Sequence, residues 1–302
     1  MLIVPGSQGL LGVKLSRLTG FDLGYAQLEK LPSGEKYVRI SQFDEEAIVV
    51  NSLAYNPDEM IVESVLIAET LREYGAKKVY AVFPYMPYSR RRFIKGEAFP
   101  ARVLMKFFSV FDRIYTVDYH LEDFAVSGVD SEVDAESAGA ESSVEGERVS
   151  IRNVTAMGKL AEKARDLGLD AVVVSPDEEG MRWARRFARE LDVECFYLNK
   201  IRVDAENVVI ASKPPEVEGR DVFLVDDMIS AGSTVVQAVR VLKKAGCRNV
   251  YVFATHVLAR TEALRKIYEV GVEEIYGTDT VPSPVSRVSV SDLIANVLKE
   301  DF

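Results

Sequence analysis

Short apolar, β-rich runs alternate with helical patterns along nearly the whole chain, and this alternation is its strongest constraint on fold. The strands are predicted at Leu2–Val4, Ala47–Val50, Val79–Phe83, Ile114–Val117, Ala171–Ser175, Cys195–Leu198, Val222–Val225, Val250–Ala254 and Glu274–Tyr276. Between and after them, helical spacing predicts Pro57–Tyr74, Ala101–Phe108, Thr155–Leu167, Glu179–Leu191, Ser233–Ala245, Ala259–Val270 and Ser291–Leu298. Unbroken apolar strands separated by helices imply parallel sheets covered on both faces, with ligands at the carboxyl ends of the strands. Asn56-Pro57 marks one helix start by an N-cap and a proline at the first position. Arg72–Tyr85 and Lys243–His256 repeat one pattern, and Ala164–Asp177 is a looser third copy, which predicts two related α/β halves joined near residue 150.

Composition narrows the class. A length of 302 residues suits one large or two ordinary domains, and a hydrophobic share of 48% can build their cores. A net charge of -10 argues against nucleic acid as a main partner. The sequence has neither a membrane-length apolar run nor a signal-peptide pattern, so no membrane partner and a cytoplasmic setting are expected. Cys195 and Cys247 lack metal-ligand spacing and read as buried or half-buried thiols. Ser127–Arg148 is rich in Ser, Glu, Ala, Gly and Asp, without periodicity, and reads as a long acidic surface insert.

The chemistry concentrates at predicted strand ends. VFLVDDMISAGST (Val222–Thr234) runs from a buried strand through Asp226 and Asp227 into a small-residue loop and a helix start. Open N–H groups at such a start bind phosphate, and paired carboxylates hold sugar hydroxyls or hydrated Mg²⁺. The plainer alternative is an Asx turn or cap. Asp177 ends a second buried strand beside another helix start, and Glu178-Glu179 complement that helix's dipole. Lys200 and Arg202, two apart in an extended run, suit a polyphosphate, or else form a solvated pair. Phe83–Arg102 interleaves aromatics with arginines, as purine binding or an oligomer interface would require. His120 shares a strand tip with Asp118. Neither a Walker-A loop nor a GxGxxG fingerprint is present.

With these residues in order, the chain resembles the ribose-phosphate pyrophosphokinase (phosphoribosyl pyrophosphate synthetase) family. VDDMISAGST is similar to the phosphoribosyl-binding loop of type I phosphoribosyltransferases. LPSGEKYVRI, FPYMPYSR, VDYH, NKIR, ATH and TDTVP separate the synthetases from that larger group. The resemblance implies an α/β fold of two type I phosphoribosyltransferase-like domains, each a mostly parallel sheet flanked by helices. Their expected spans are 1–150, on the ATP side with the acidic insert 127–148, and 151–302, on the ribose 5-phosphate side. The last helix is expected to pack back on the first domain.

The implied activity is transfer of the diphosphoryl group of ATP to the C1 hydroxyl of ribose 5-phosphate, with Mg²⁺, in a homo-oligomer built from dimers. By resemblance Lys200 and Arg202 are catalytic. Ser33, Gly34, Glu35, Arg90 and Arg91 bind ATP. Arg202, Asp226, Asp227, Ser230, Ala231, Gly232, Ser233 and Thr234 bind ribose 5-phosphate, and His120 and Asp177 are metal-associated. The chain departs from the family pattern in a segment two residues shorter after Arg90, in Ala231 where threonine is usual, and in Ser233 where glycine or alanine is usual. Those departures raise the alternative of a non-catalytic paralogue that regulates an active synthetase. A third reading, a phosphoribosyltransferase using only the second half, leaves the first-half motifs unexplained.

Overall fold

A computed structural model describes residues 1–88, 96–98, 100–120, 149–198, 200–202, 208–210 and 216–302. Arg90, Arg91 and the acidic insert 127–148 lie outside the described residues. The chain divides into unit 1, Met1–Thr155 with Ser291–Phe302, and unit 2, Ala156–Val290. Among the described residues, no helix is long and apolar enough to cross a membrane.

Unit 1 begins with β1 (Leu2–Pro5), α1 (Leu10–Thr19) and β2 (Asp22–Leu23). A hairpin of β3 (Ala26–Lys30) and β4 (Lys36–Ile40) follows, then β5 (Glu46–Val50) and α2 (Pro57–Glu73). The unit continues with β6 (Lys78–Phe83), α3 (Pro100–Phe108), β7 (Arg113–Val117) and β8 (Ser150–Val154). Its main sheet has six strands in the order β2-β1-β5-β6-β7-β8, every pair parallel. The hairpin is a separate antiparallel ribbon.

Unit 2 repeats the plan. It runs α4 (Met157–Arg165), β9 (Ala171–Ser175), α5 (Met181–Leu191) and β10 (Cys195–Tyr197). A hairpin of β11 (Lys200–Arg202) and β12 (Val208–Ile210) is followed by β13 (Asp221–Ile229), α6 (Ser233–Lys244) and β14 (Val250–Val257). The unit ends with α7 (Thr261–Glu269), β15 (Glu274–Thr278) and β16 (Ser286–Val288). Its sheet order is β10-β9-β13-β14-β15-β16, again all parallel. The last helix, α8 (Ser291–Asp301), clusters with unit 1. There Asp301 meets Arg152, Arg113 at 3.1 Å and the Tyr115 hydroxyl at 2.7 Å.

Alternation along the strands builds the two core layers of unit 2. Val172, Val174, Leu224 and Val252 join Val235, Val239 and Leu242 of α6 on one face. Val173, Phe223, Val225 and Phe253 meet Trp183 and Phe187 of α5 on the other. Period-two strands therefore feed both layers, and stripes at helical spacing close them.

Several boundaries differ from expectation. The strand predicted at Val222–Val225 continues to Ile229, because Asp226, Met228 and Ile229 pair in register with Ala254, His256 and Val257. Ladder bonds to a long neighbour outweigh the low strand preference of aspartate. Asn56 does hold the N-cap of α2, but it is left-handed at φ 80° and makes no side-chain cap bond. α5 begins at Met181, so Glu178 and Glu179 precede the helix and leave its first turn without an acid. α1 and the β3–β4 hairpin were not anticipated.

Candidate active site

Within each main sheet the first strand lies between the second and the third, so the winding direction reverses beside it. Ligand crevices of open α/β sheets form at that reversal. In unit 2 the reversal falls between β9 and β13, the strands that deliver Asp177 and Asp226.

Ser175, the last residue of β9, donates from Oγ to the Asp177 carbonyl at 2.7 Å. The Gly180 N–H donates to Asp177 Oδ1 at 3.0 Å and closes the turn into α5. On the neighbouring strand the Asp226 side chain folds back, its Oδ1 accepting the Asp227 N–H at 2.9 Å. Asp226 and Asp227 are both buried. The two turns meet at Gly180. A Cβ there would lie 2.7 Å from Ser175 Oγ, 3.0 Å from Asp226 Oδ1 and 3.6 Å from Asp177 Oδ1. Carboxylates from two strands thus converge on one point, and the missing side chain is what lets them approach.

Beyond β13, Ser230, Ala231 and Gly232 lead into α6. Gly232 is left-handed at φ 77°, and a Cβ would meet Ile267 Cδ1 at 3.0 Å, so the turn requires glycine. α6 starts without a side-chain cap bond. Ser230, Ala231 and Ser233 are exposed, Thr234 is half-buried, and the N–H groups of a first helical turn have no intrahelical partner. The loop therefore offers an anion N–H donors and the positive end of the helix dipole.

Lys200 and Arg202 occupy β11, paired with Ile210 and Val208 of β12. The Leu198 N–H donates to the Ser175 carbonyl at 3.1 Å, so the β10–β9 pairing runs to the end of β9, two residues before β11 begins. Behind the site His256 Nδ1 lies 2.9 Å from Thr280 Oγ1, and the Thr278 and Thr280 hydroxyls donate to the Thr255 carbonyl at 2.8 and 2.9 Å. This buried polar ladder continues from β14 into the segment after β15.

In unit 1, Ser33, Gly34 and Glu35 form the exposed turn of the β3–β4 hairpin. Gly34 is left-handed at φ 93°, and Ser33 Oγ donates to Glu35 Oε2 at 2.6 Å. His120 follows β7 and is half-buried. The preceding Asp118 is buried in a left-handed conformation, φ 47°, that a residue with a side chain rarely adopts. The Tyr119 N–H donates to Asn153 Oδ1 at 3.0 Å, and Asn153 Nδ2 returns a bond to the Tyr119 carbonyl at 2.9 Å. His120 and Asp177 belong to different units, and among the described residues no group of three or more His, Cys, Asp or Glu side chains gathers as a metal cage.

Sequence reasoning did not find the role of Gly180 as the meeting point of two carboxylates. It also did not find a cluster of exposed Ser7 with buried Asn51 and Glu63 at the strand reversal of unit 1. A signal for the latter existed, since Glu63 interrupts the buried α2 stripe of Met60, Ile61, Ser64 and Ile67.

Two family models match the chain. The N-terminal domain of ribose phosphate pyrophosphokinase matches residues 1–111, and the phosphoribosyl transferase domain matches residues 150–286. The ribose-phosphate pyrophosphokinase 1 of Archaeoglobus fulgidus is 40% identical, covering 99% of both chains. The chain belongs to the ribose-phosphate pyrophosphokinase family. The ribose-phosphate pyrophosphokinase of Methanothermobacter thermautotrophicus is 34% identical over 99% of this chain and 100% of its own. A crystal structure of phosphoribosylpyrophosphate synthetase from Mycobacterium smegmatis shares the pyrophosphokinase fold, with a TM-score of 0.82 at 24% identity, covering 100% of this chain and 98% of its own.

Proposed function

We propose that this chain is a ribose-phosphate diphosphokinase. It transfers the β,γ-diphosphoryl group of ATP to the C1 hydroxyl of ribose 5-phosphate, giving phosphoribosyl pyrophosphate and AMP. The observation that carries this reading is the convergence of Asp177 and Asp226 at the strand reversal of unit 2, beside the open Ser230–Thr234 loop. Whole-length similarity to named pyrophosphokinases supports the same reaction and does not favour a regulatory paralogue.

In this reading the N–H groups and hydroxyls of Ser230, Ala231, Gly232, Ser233 and Thr234 cradle the 5-phosphate. Asp226, with Asp227 behind it, accepts the ribose hydroxyls and presents C1. Lys200 and Arg202 neutralise charge on the diphosphoryl group as its bond to AMP breaks and its bond to the C1 oxygen forms. Such transfer is mostly positioning and charge neutralisation. Ser33, Gly34 and Glu35, with Arg90 and Arg91, hold ATP. Residues 1–150 serve ATP and residues 151–302 serve ribose 5-phosphate.

The donors fit Mg²⁺. It takes hard oxygen ligands, keeps several waters, and binds through one or two carboxylates plus substrate phosphates rather than a protein cage. In unit 2 the carboxylate of Asp177 would hold it, and it would supply charge neutralisation on the phosphates; His120 in unit 1 would be metal-associated separately, on the ATP side. A homo-oligomer built from dimers belongs to the same proposal and is checked by analytical ultracentrifugation. The activity test is AMP formation from ATP, dependent on both ribose 5-phosphate and Mg²⁺. Well-folded protein that makes no AMP at any Mg²⁺ concentration refutes the proposal.

A further inference from the structure

The two units share a strand plan, but their reversal points are filled differently. In unit 2 the crevice receives Asp177 and Asp226 and faces an open loop. In unit 1 the equivalent position lies between β1 and β5, and the chain's own side chains occupy it. Glu63 reaches in from α2 with a fully buried side chain. Its Oε1 accepts the Ser7 N–H at 2.7 Å and Asn51 Nδ2 at 3.2 Å, and its Oε2 accepts Ser7 Oγ at 2.5 Å. Lys36, the first residue of β4, completes the set with Nζ 2.7 Å from Glu63 Oε2 and 3.0 Å from Glu59 Oε1. Lys30, the last residue of β3, reaches Glu59 Oε2 at 3.0 Å. Both strands that flank the Ser33-Gly34-Glu35 turn are therefore tied to α2.

A second segment reaches the same helix. The Tyr88 hydroxyl donates to Asp58 Oδ1 in the first turn of α2. Tyr88 is left-handed at φ 68° and lies two positions before Arg90. The ribbon has an apolar footing of its own, because Ala26, Leu28, Val38 and Ile40 join the unit 1 core. Loss of a polar tie would thus free the turn without unfolding the hairpin.

We propose that α2 is the common anchor of the Ser33–Glu35 turn and of Tyr88, with Lys36, and secondarily Tyr88, as positioning residues for the nucleotide. This rests on the reading above that Ser33–Glu35 and Arg90–Arg91 contact ATP. The partner of Lys36 in this crevice is the carboxylate of Glu63. The crevice of unit 1 serves to hold the nucleotide turn in place of binding a second sugar phosphate. Small displacements of binding groups cost large factors, so Lys36→Met is expected to weaken ATP binding on the order of tenfold. Lys36→Arg keeps the cation and restores most of that loss. Tyr88→Phe gives a smaller loss in the same direction.

The test is calorimetric titration of the full chain with ATP and, separately, ribose 5-phosphate, alongside steady-state KM and kcat. The expected result is a rise in Kd and KM for ATP, with ribose 5-phosphate affinity unchanged. Asp301→Ala, which removes two ion pairs elsewhere in unit 1, should leave ATP affinity as in the wild type and so separates positioning from general stability. Unchanged ATP affinity in both Lys36→Met and Tyr88→Phe overturns the inference. If Lys36→Met does not fold, Tyr88→Phe decides it alone. Wild-type protein that binds ATP but forms no AMP sinks the proposed reaction, while the ATP titrations still decide the anchor. Wild-type protein that binds no ATP overturns both.

Discussion

Gly180→Ala isolates the convergence of the two carboxylates. The Gly180 backbone is right-handed, φ -75° and ψ -11°, so alanine fits the local conformation. At an unobstructed position of that kind the substitution would stabilise by about 0.4–1 kcal/mol through the unfolded chain. Here the new methyl group meets Ser175 Oγ at 2.7 Å and Asp226 Oδ1 at 3.0 Å. Rotating Ser175 away breaks its bond to the half-buried Asp177 carbonyl, which costs up to about 1–3 kcal/mol if water does not replace it. Keeping that bond instead pushes the α5 turn, and with it the Asp177 carboxylate, by a few tenths of an ångström or more. The net is a loss of about 1–2 kcal/mol in stability, read by urea denaturation. If the site works by positioning as proposed, kcat/KM for ribose 5-phosphate should fall on the order of 10- to 100-fold. KM for ATP should stay near the wild-type value. An alanine variant with stability and kcat/KM within about twofold of wild type would falsify the packing argument.

Lys200→Ala should lower AMP formation by on the order of 100-fold or more while leaving ribose 5-phosphate binding largely intact; a variant that loses only binding removes the assigned role. Asp301→Ala strips Arg113, Arg152 and Tyr115 of a shared, mostly buried acceptor and should cost about 2–3 kcal/mol in urea denaturation. Asp221 is buried at the start of β13, and the hydrogen bond from Arg248, with Asn249 adding a second, holds its carboxyl below the usual range despite burial. A depressed folded value stabilises above the unfolded pKa and is lost as pH falls through the folded one. Arg248→Met should therefore lower the melting temperature at neutral pH and narrow the gap between neutral and acid melting temperatures; an unchanged pH profile rules this out.

The fold class was legible because parallel strands buried on both faces must be unbroken apolar runs, as in Val172–Val174 and Val222–Val225, and helices must carry a stripe, as in α6. α1 was not legible. It starts at Leu10 without a capping side chain or an acidic first turn, and Gly12 interrupts it, yet Leu11 and Leu15 bury against the sheet and stabilise it. The β3–β4 hairpin was likewise missed. It alternates weakly, with Glu29, Lys30 and Arg39 exposed among its apolar positions, so its pattern resembles a loop. Propensity is a weak prior where packing decides.

The sequence by itself determined the parts of the candidate site. Two aspartates in an apolar run, a small-residue loop before a helix, and a Lys-x-Arg pair are visible without coordinates, since each is a local pattern with local chemistry. Only the tertiary structure decided what those parts meet. Asp177 and Asp226 are far apart in sequence and converge because β9 and β13 are neighbours at the strand reversal, with Gly180 leaving room between them. Lys36 and Glu63 are 27 positions apart, and the fold brings them together as an ion pair against Ser7 and Asn51. The reason is physical: periodicity reports which way a residue faces within its own element, whereas a contact between elements depends on strand order and register, which long-range packing sets.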